Sequence, residues 1–157
     1  MIQRVRKAAV EIDGQVVSEI GRGLLIFLGI GRGDGGDEVD WMAEKIVHLR
    51  VFEDAGGRMQ HSLPEVHGEA LVVSQFTLYG DVQKGRRPDF TGAAPPQEAK
   101  ELYERFMERL QGQGVTVKAG VFGAKMLVQL ENDGPVTLIL ESPWPRHEVG
   151  NRKQERP

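Results

Sequence analysis

Residues 5–12 are rich in β-prone side chains, Asp13-Gly14 has the form of a hairpin turn, and residues 15–20 return as a second short strand. Gly21-Arg22-Gly23 then sets off Leu24-Leu25-Ile26-Phe27-Leu28, an unbroken apolar run of the length expected for a central strand buried on both faces. The period changes after it. Over residues 37–49, Val39, Met42, Ala43, Ile46 and Val47 recur at i, i+3, i+4, i+7 and i+8, which predicts a helix with Asp34 or Asp37 as its cap. Arg50-Val51-Phe52 predicts a strand, residues 54–57 a glycine-rich turn, and residues 59–68 a loop without period.

Ala70-Leu71-Val72-Val73 opens another buried strand, which the pattern carries on through Ser74-Gln75-Phe76-Thr77-Leu78. Residues 80–96 form a polar, Gly- and Pro-marked loop of a length that is more often functional than idle. Pro95-Pro96 starts a second helix running to about Leu110, with Ala99, Leu102, Tyr103, Phe106 and Leu110 on one face and Gly112 as its stop. Three last strands are expected at residues 115–118, 125–130 and 136–140, with Asn132-Asp133-Gly134-Pro135 as a turn between the final two. This order predicts a mixed α/β domain over residues 1–141, helices covering the sheet, followed by a polar, disordered tail over 142–157.

Composition narrows the chemistry. The 157 residues suit one domain, and no apolar run approaches the roughly 20 residues that cross a bilayer. No secretory h-region follows Met1, and the chain has no cysteine. Disulfides, cysteine-held metals and thiol catalysis are excluded, and a cytoplasmic location is expected. With 20 Lys+Arg against 23 Asp+Glu, the formal charge is −3. A nucleic-acid partner therefore needs a local basic patch, for which Lys84, Arg86 and Arg87 in the long loop are candidates, with Arg6 and Lys7; the alternative is a solvated loop.

Familiar catalytic patterns are missing or misleading. Gly31-Arg32-Gly33-Asp34-Gly35-Gly36 fits G-x-G-x-x-G, yet Asp34 and Asp37 put negative charge where a pyrophosphate would sit. Ser74 lacks the glycines of a nucleophile elbow, and His48, His61, His67 and His147 lack metal-ligand spacing, so no metal or cofactor is expected. Two segments stay unexplained by packing. Ser74-Gln75-Phe76-Thr77 places polar side chains at the end of an apolar strand, and Gly134-Pro135 is a bond able to adopt cis at modest cost.

Together with Ile2-Gln3-Arg4-Val5, Lys84-Gly85-Arg86-Arg87-Pro88-Asp89-Phe90 and Gly120-Val121-Phe122-Gly123-Ala124-Lys125-Met126, the strand ending Ser74-Gln75-Phe76-Thr77-Leu78 and Asn132-Asp133-Gly134-Pro135-Val136-Thr137 resemble the D-aminoacyl-tRNA deacylase family over residues 1–141. The resemblance implies a barrel-like mixed sheet covered by two main helices, and a homodimer with active sites at the subunit interface. It implies hydrolysis of the ester that joins a D-amino acid, or glycine, to the 3′-terminal adenosine of tRNA. Gly134-Pro135 would be cis and reach into the partner's pocket. Ser74, Gln75, Phe76 and Thr77 would form the pocket floor, Phe122 would contact substrate, and Arg4 would orient the Gly-Pro loop. Two mechanisms compete: attack or water activation by the Thr77 hydroxyl, or assistance by the substrate's ribose 2′-hydroxyl with backbone N–H groups at Phe76 and Thr77 as the oxyanion hole. The lack of a base beside Thr77 favours the second. The other readings are a non-catalytic nucleic-acid-binding dimer and a nicotinamide oxidoreductase built on residues 31–36.

Overall fold

The predicted hairpin forms, and its first strand reaches back almost to the start of the chain. In the computed structural model, which describes residues 1–143, β1 spans Ile2–Ile12 and β2 spans Gln15–Ile20. Between them Asp13 (φ 50°) and Gly14 (φ 79°) both take the left-handed conformation that a two-residue hairpin turn requires. There follow β3 (Gly23–Leu28), α1 (Gly36–His48), β4 (Phe52–Glu53), β5 (Met59–His61), β6 (Glu69–Ser74), one 3-10 turn (Phe76–Tyr79), α2 (Pro96–Gly112), β7 (Thr116–Ala119) and β8 (Leu127–Leu138). The expected tail falls almost wholly outside the described residues.

The main sheet has the order β2-β1-β3-β6-β7. β1 is its organiser: residues 2–5 pair antiparallel with β3, residues 8–12 with β2, and the opposite edge carries β8. β3, β6 and β7 run parallel to one another. The central strands read as continuous apolar runs because both of their faces are buried. Leu24, Ile26, Ala70 and Val72 face the helices, packing on Val39, Ile46, Tyr103 and Phe106. Leu25, Leu71 and Val73 point the other way, into a second core with Val5, Val10 and Ile20, closed by Val128 and Leu130 of β8. The result is a mixed α/β fold with a barrel-like sheet and two covering helices. Each fully buried aliphatic side chain contributes about 2 kcal/mol of transfer free energy.

The two helical stripes pack as predicted, with Val39, Ala43, Ile46 and Val47 of α1 and Tyr103, Phe106 and Leu110 of α2 buried. Their outer faces are joined by Asp40, whose carboxylate accepts from Arg105 (2.9 Å) and Arg109 (2.8 Å). The α1 cap differs from expectation. Gly35 holds the N-cap position and its N–H donates to Glu38 (2.7 Å), while Asp34 turns back to accept from the Gly31 N–H (2.7 Å). Gly23 is a steric necessity: a Cβ there would lie 1.8 Å from the Glu69 carbonyl oxygen of the neighbouring parallel strand.

Three further expectations are corrected. β6 ends at Ser74, and Phe76–Tyr79 winds into a 3-10 turn instead of continuing the strand. The reason is the ladder: Gln75 still donates to the Leu28 carbonyl (2.9 Å), but β3 stops there and offers no further partner. Residues 59–61, expected as loop, pair with β4, which itself lies at Phe52–Glu53 and not at 50–52. The last two predicted strands are one. β8 pairs with β1 at Asn132 and again at Thr137, so residues 133–136 form an excursion within one strand and not a hairpin turn.

Candidate active site

Because β3, β6 and β7 are parallel, their carboxyl ends deliver three loops to one rim of the sheet, where open α/β sheets place their ligands. β6 supplies Ser74 and Gln75, then the turn carrying Phe76 and Thr77. The Gln75 side-chain amide donates to the Thr77 hydroxyl. Phe76 is 56% exposed and meets the edge of Phe90 with ring centroids 5.1 Å apart. β7 leads into Gly120–Phe122, held because the Gly120 N–H donates to the Val72 carbonyl (3.0 Å). That oxygen also accepts from the buried Tyr103 hydroxyl (2.9 Å), and the Tyr103 ring supports Phe122 at 5.9 Å between centroids. Ser74, Gln75, Phe76, Thr77 and Phe122 are thus brought to the same end of the sheet.

Arg4, Gly134 and Pro135 form a separate group. Val5 pairs with Asn132 and Gln3 with Thr137, which leaves Arg4 alone opposite the four residues 133–136. Asn132 closes this excursion with its side chain, accepting from the Val136 N–H (2.9 Å) and donating to the Thr137 hydroxyl (3.0 Å). The Gly134-Pro135 peptide is cis, and both residues are exposed. Gly134 sits at φ 121° with Arg4 Nη2 only 2.9 Å from where a Cβ would be, so conformation and space both demand glycine. The Arg4 side chain is 5% exposed and spends its donors on three acceptors: the Asp133 carbonyl (3.1 Å), the Val51 carbonyl (2.7 Å) and the Glu53 carboxylate (3.3 Å). Val51 and Glu53 were not among the predicted site residues, and no local pattern marks them, because the contact joins segments far apart in the chain.

Within one chain the two groups do not meet. Register puts Arg4 level with Leu24 and Ala70, four residues short of Ser74, and β8 lies three strands across from β6. At ordinary strand spacing and rise this separates the Gly-Pro excursion from Ser74 by roughly 19 Å.

The basic loop is pinned at its base. Asp81 and Asp89 exchange backbone hydrogen bonds (2.7 and 2.9 Å), and hydrogen bonds from Thr91 hold the Asp89 carboxyl below its ordinary range. Lys84, Arg86 and Arg87 stand exposed at its tip, without an ion pair among the described residues. Arg6 and Lys7 are already engaged, with Asp133 (3.5 Å) and Glu131 (3.2 Å). In the glycine-rich loop the amides of Gly31 and Gly35, which a pyrophosphate would need, are occupied by the carboxylates of Asp34 and Glu38. No group of three metal-ligating side chains gathers among the described residues. A cavity of about 410 Å³ between β3, α1 and the chain after β8 is walled mainly by apolar side chains and includes neither Ser74–Thr77 nor Gly134-Pro135.

A family model described as D-Tyr-tRNA(Tyr) deacylase matches residues 1–141. The chain belongs to the D-aminoacyl-tRNA deacylase family. A D-aminoacyl-tRNA deacylase of Myxococcus xanthus is 56% identical over 145 residues, covering 92% of this chain and 95% of its own. Another, of Carboxydothermus hydrogenoformans, is 55% identical over 141 residues, covering 90% and 97%. Among solved structures, a c-Myc DNA unwinding element binding protein superposes with a TM-score of 0.85 at 44% identity, covering 91% of this chain and 97% of that one. A probable eukaryotic D-amino acid tRNA deacylase shares the fold at 20% identity, with a TM-score of 0.72 and coverage of 85% and 93%. The protein is therefore an ester hydrolase, a D-aminoacyl-tRNA deacylase.

In this deacylase the support beneath Phe122 carries its own pH signature. Burial, with a smaller contribution from Glu104, pushes the Tyr103 hydroxyl up to about 12 from an ordinary 10. The unfolded chain releases that proton at the lower value, so the stabilisation is complete below pH 10 and is lost as pH rises towards 12. Urea unfolding between pH 8 and 12 should show this alkaline decline, and Tyr103→Phe should flatten it while costing about 1 kcal/mol near neutrality through the missing hydrogen bond.

Proposed function

We propose that the enzyme clears both D-aminoacyl-tRNA and glycyl-tRNA in the cytoplasm, working as a homodimer in which each subunit lends its Gly134-Pro135 excursion to the partner's pocket. The excluded L side chains range from methyl to indole, so recognition of the side chain itself cannot reject them all. A rigid piece of backbone beside the α-carbon can, because every L side chain leaves in the same direction. A D side chain points away from such a wedge, and glycine has nothing to exclude. The separation of Gly134-Pro135 from Ser74 within one chain supports the need for a second copy.

The observation that carries the mechanism is the partner of Thr77. Its hydroxyl accepts from the Gln75 amide, a group that takes no proton near neutrality, and among the described residues no base accepts the Thr77 proton, as a threonine nucleophile needs. We assign activation of the attack to the substrate's ribose 2′-hydroxyl. Phe76 and Thr77 open a 3-10 turn, where the first N–H groups have no acceptor inside the turn and can serve the tetrahedral oxyanion. Gln75 then holds the Thr77 side chain in place, and Ser74 and Phe122 complete the cleft.

Purified protein should deacylate D-Tyr-tRNA and Gly-tRNA and leave L-Tyr-tRNA intact. Thr77→Ala should retain measurable turnover, and a loss of kcat beyond about 10³-fold with the fold intact would transfer the chemistry to the hydroxyl. The same assay decides the second reading, nucleic-acid binding without catalysis, which draws its support from the 44% identical c-Myc DNA unwinding element binding protein. For the basic loop, charge reversal at Arg86 and Arg87 should weaken tRNA binding and reduce the slope of log Kd against log salt by about one for each phosphate that is no longer neutralised. An unchanged slope removes them from the interface.

A further inference from the structure

The geometry points to Glu53 as a positioning residue for stereochemical selection, acting through Arg4 on the Gly134-Pro135 loop. The inference rests on the wedge reading above and adds to it the β4–β5 hairpin, a two-stranded sheet separate from the main one.

The hairpin is firmly seated. Phe52 is 1% exposed, with the Arg22 guanidinium 5.4 Å from its ring centre. Its turn is tied by Asp54, whose N–H donates to the Arg58 carbonyl (2.8 Å) and whose carboxylate accepts from Gly56 (2.8 Å) and Arg58 (3.0 Å). Glu53 therefore presents its carboxylate from a fixed backbone, 3.3 Å from Arg4 Nη2. A guanidinium is a planar fork, so holding two of its nitrogens fixes the direction of the third. Val51 holds Nη1 and Glu53 holds Nη2, and together they aim Nε at the Asp133 carbonyl, one residue before the Gly-Pro bond. Without Glu53, Arg4 keeps the Val51 oxygen as a pivot and loses its second fixed point on the hairpin.

Glu53 also makes the effect measurable. Its side chain is 49% exposed, so it can be replaced without opening the core, whereas removing the 5% exposed Arg4 strips buried carbonyls of their donor. Rates for D- and L-Tyr carried on the same tRNA share every contact to the nucleic acid, so their ratio reports only the amino-acid cleft.

The experiment compares kcat/KM for D-Tyr-tRNA and L-Tyr-tRNA in wild type, Glu53→Ala, Glu53→Gln and Pro135→Ala, with thermal melts alongside. Glu53→Ala should shrink the D/L ratio by about tenfold, mainly through faster L hydrolysis, and Glu53→Gln, which still offers Nη2 an acceptor, should recover most of it. If Pro135→Ala admits the L substrate but Glu53→Ala leaves the ratio unchanged, or lowers both rates together with the melting temperature, the role given to Glu53 is overturned while the wedge stands. If Pro135→Ala leaves the L substrate excluded, the wedge itself is wrong and the role of Glu53 falls with it.

Discussion

A guanidinium at 5% exposure is tenable only if its donors find acceptors, because an unpaired charge in the interior costs several kcal/mol. Arg4 meets that demand with two backbone carbonyls and the carboxylates of Glu53 and Asp133, drawn from two segments far apart in the chain, Val51–Glu53 and the β8 excursion. The arrangement follows from the β1–β8 register. Since Arg4 alone faces residues 133–136, the extra residues of β8 must leave the ladder, and the Asp133 carbonyl that gives up its strand partner finds Arg4 in its place. The Gly-Pro loop is thereby fixed by the same contact that makes the buried charge acceptable.

The other half of the site has a different origin. Three parallel strands end at nearly the same level, and the chain must leave the sheet where pairing partners run out. Ser74-Gln75-Phe76-Thr77 occupies that position, which explains polar side chains following four buried residues of β6. The site is accordingly rich in backbone groups at fixed directions and poor in titratable side chains. Such a surface is compatible with the mechanism proposed above, in which the base comes from the substrate.

Elements with one strong physical cause were readable from the chain. Leu24 to Leu28 and Ala70 to Val73 announce central strands because both faces are buried, and the stripes of α1 and α2 announce the faces turned to the sheet. β5 is only three residues long and its one apolar side chain, Met59, is exposed, so no hydrophobic period marks it. Asn132-Asp133-Gly134-Pro135 has the composition of a hairpin turn, and only the pairing of Gln3 with Thr137 beyond it reveals a single strand. The candidate site shows the same divide. Ser74 to Thr77 and Gly134-Pro135 stood out locally by polarity and by the nature of the X-Pro bond, whereas the Arg4 contacts to Val51 and Glu53 depend on a hairpin whose position no local period encodes.

The exposed cations and the cleft must divide the work of recognition. At a net charge of −3 the molecule as a whole does not attract tRNA, so phosphate contacts require a local cluster of cations, the part proposed above for Lys84, Arg86 and Arg87. Contacts of that kind are identical for D-, L- and glycyl-tRNA and change neither the choice among them nor the barrier to the chemical step. Everything that separates one ester from another must arise within a few ångströms of the α-carbon. A flexible boundary there would admit both enantiomers, since the two differ only in the direction in which one substituent leaves. Under the proposed wedge, stereochemical choice thus makes rigidity of the Gly134-Pro135 loop, more than added affinity, the quantity that the surrounding hydrogen bonds must supply.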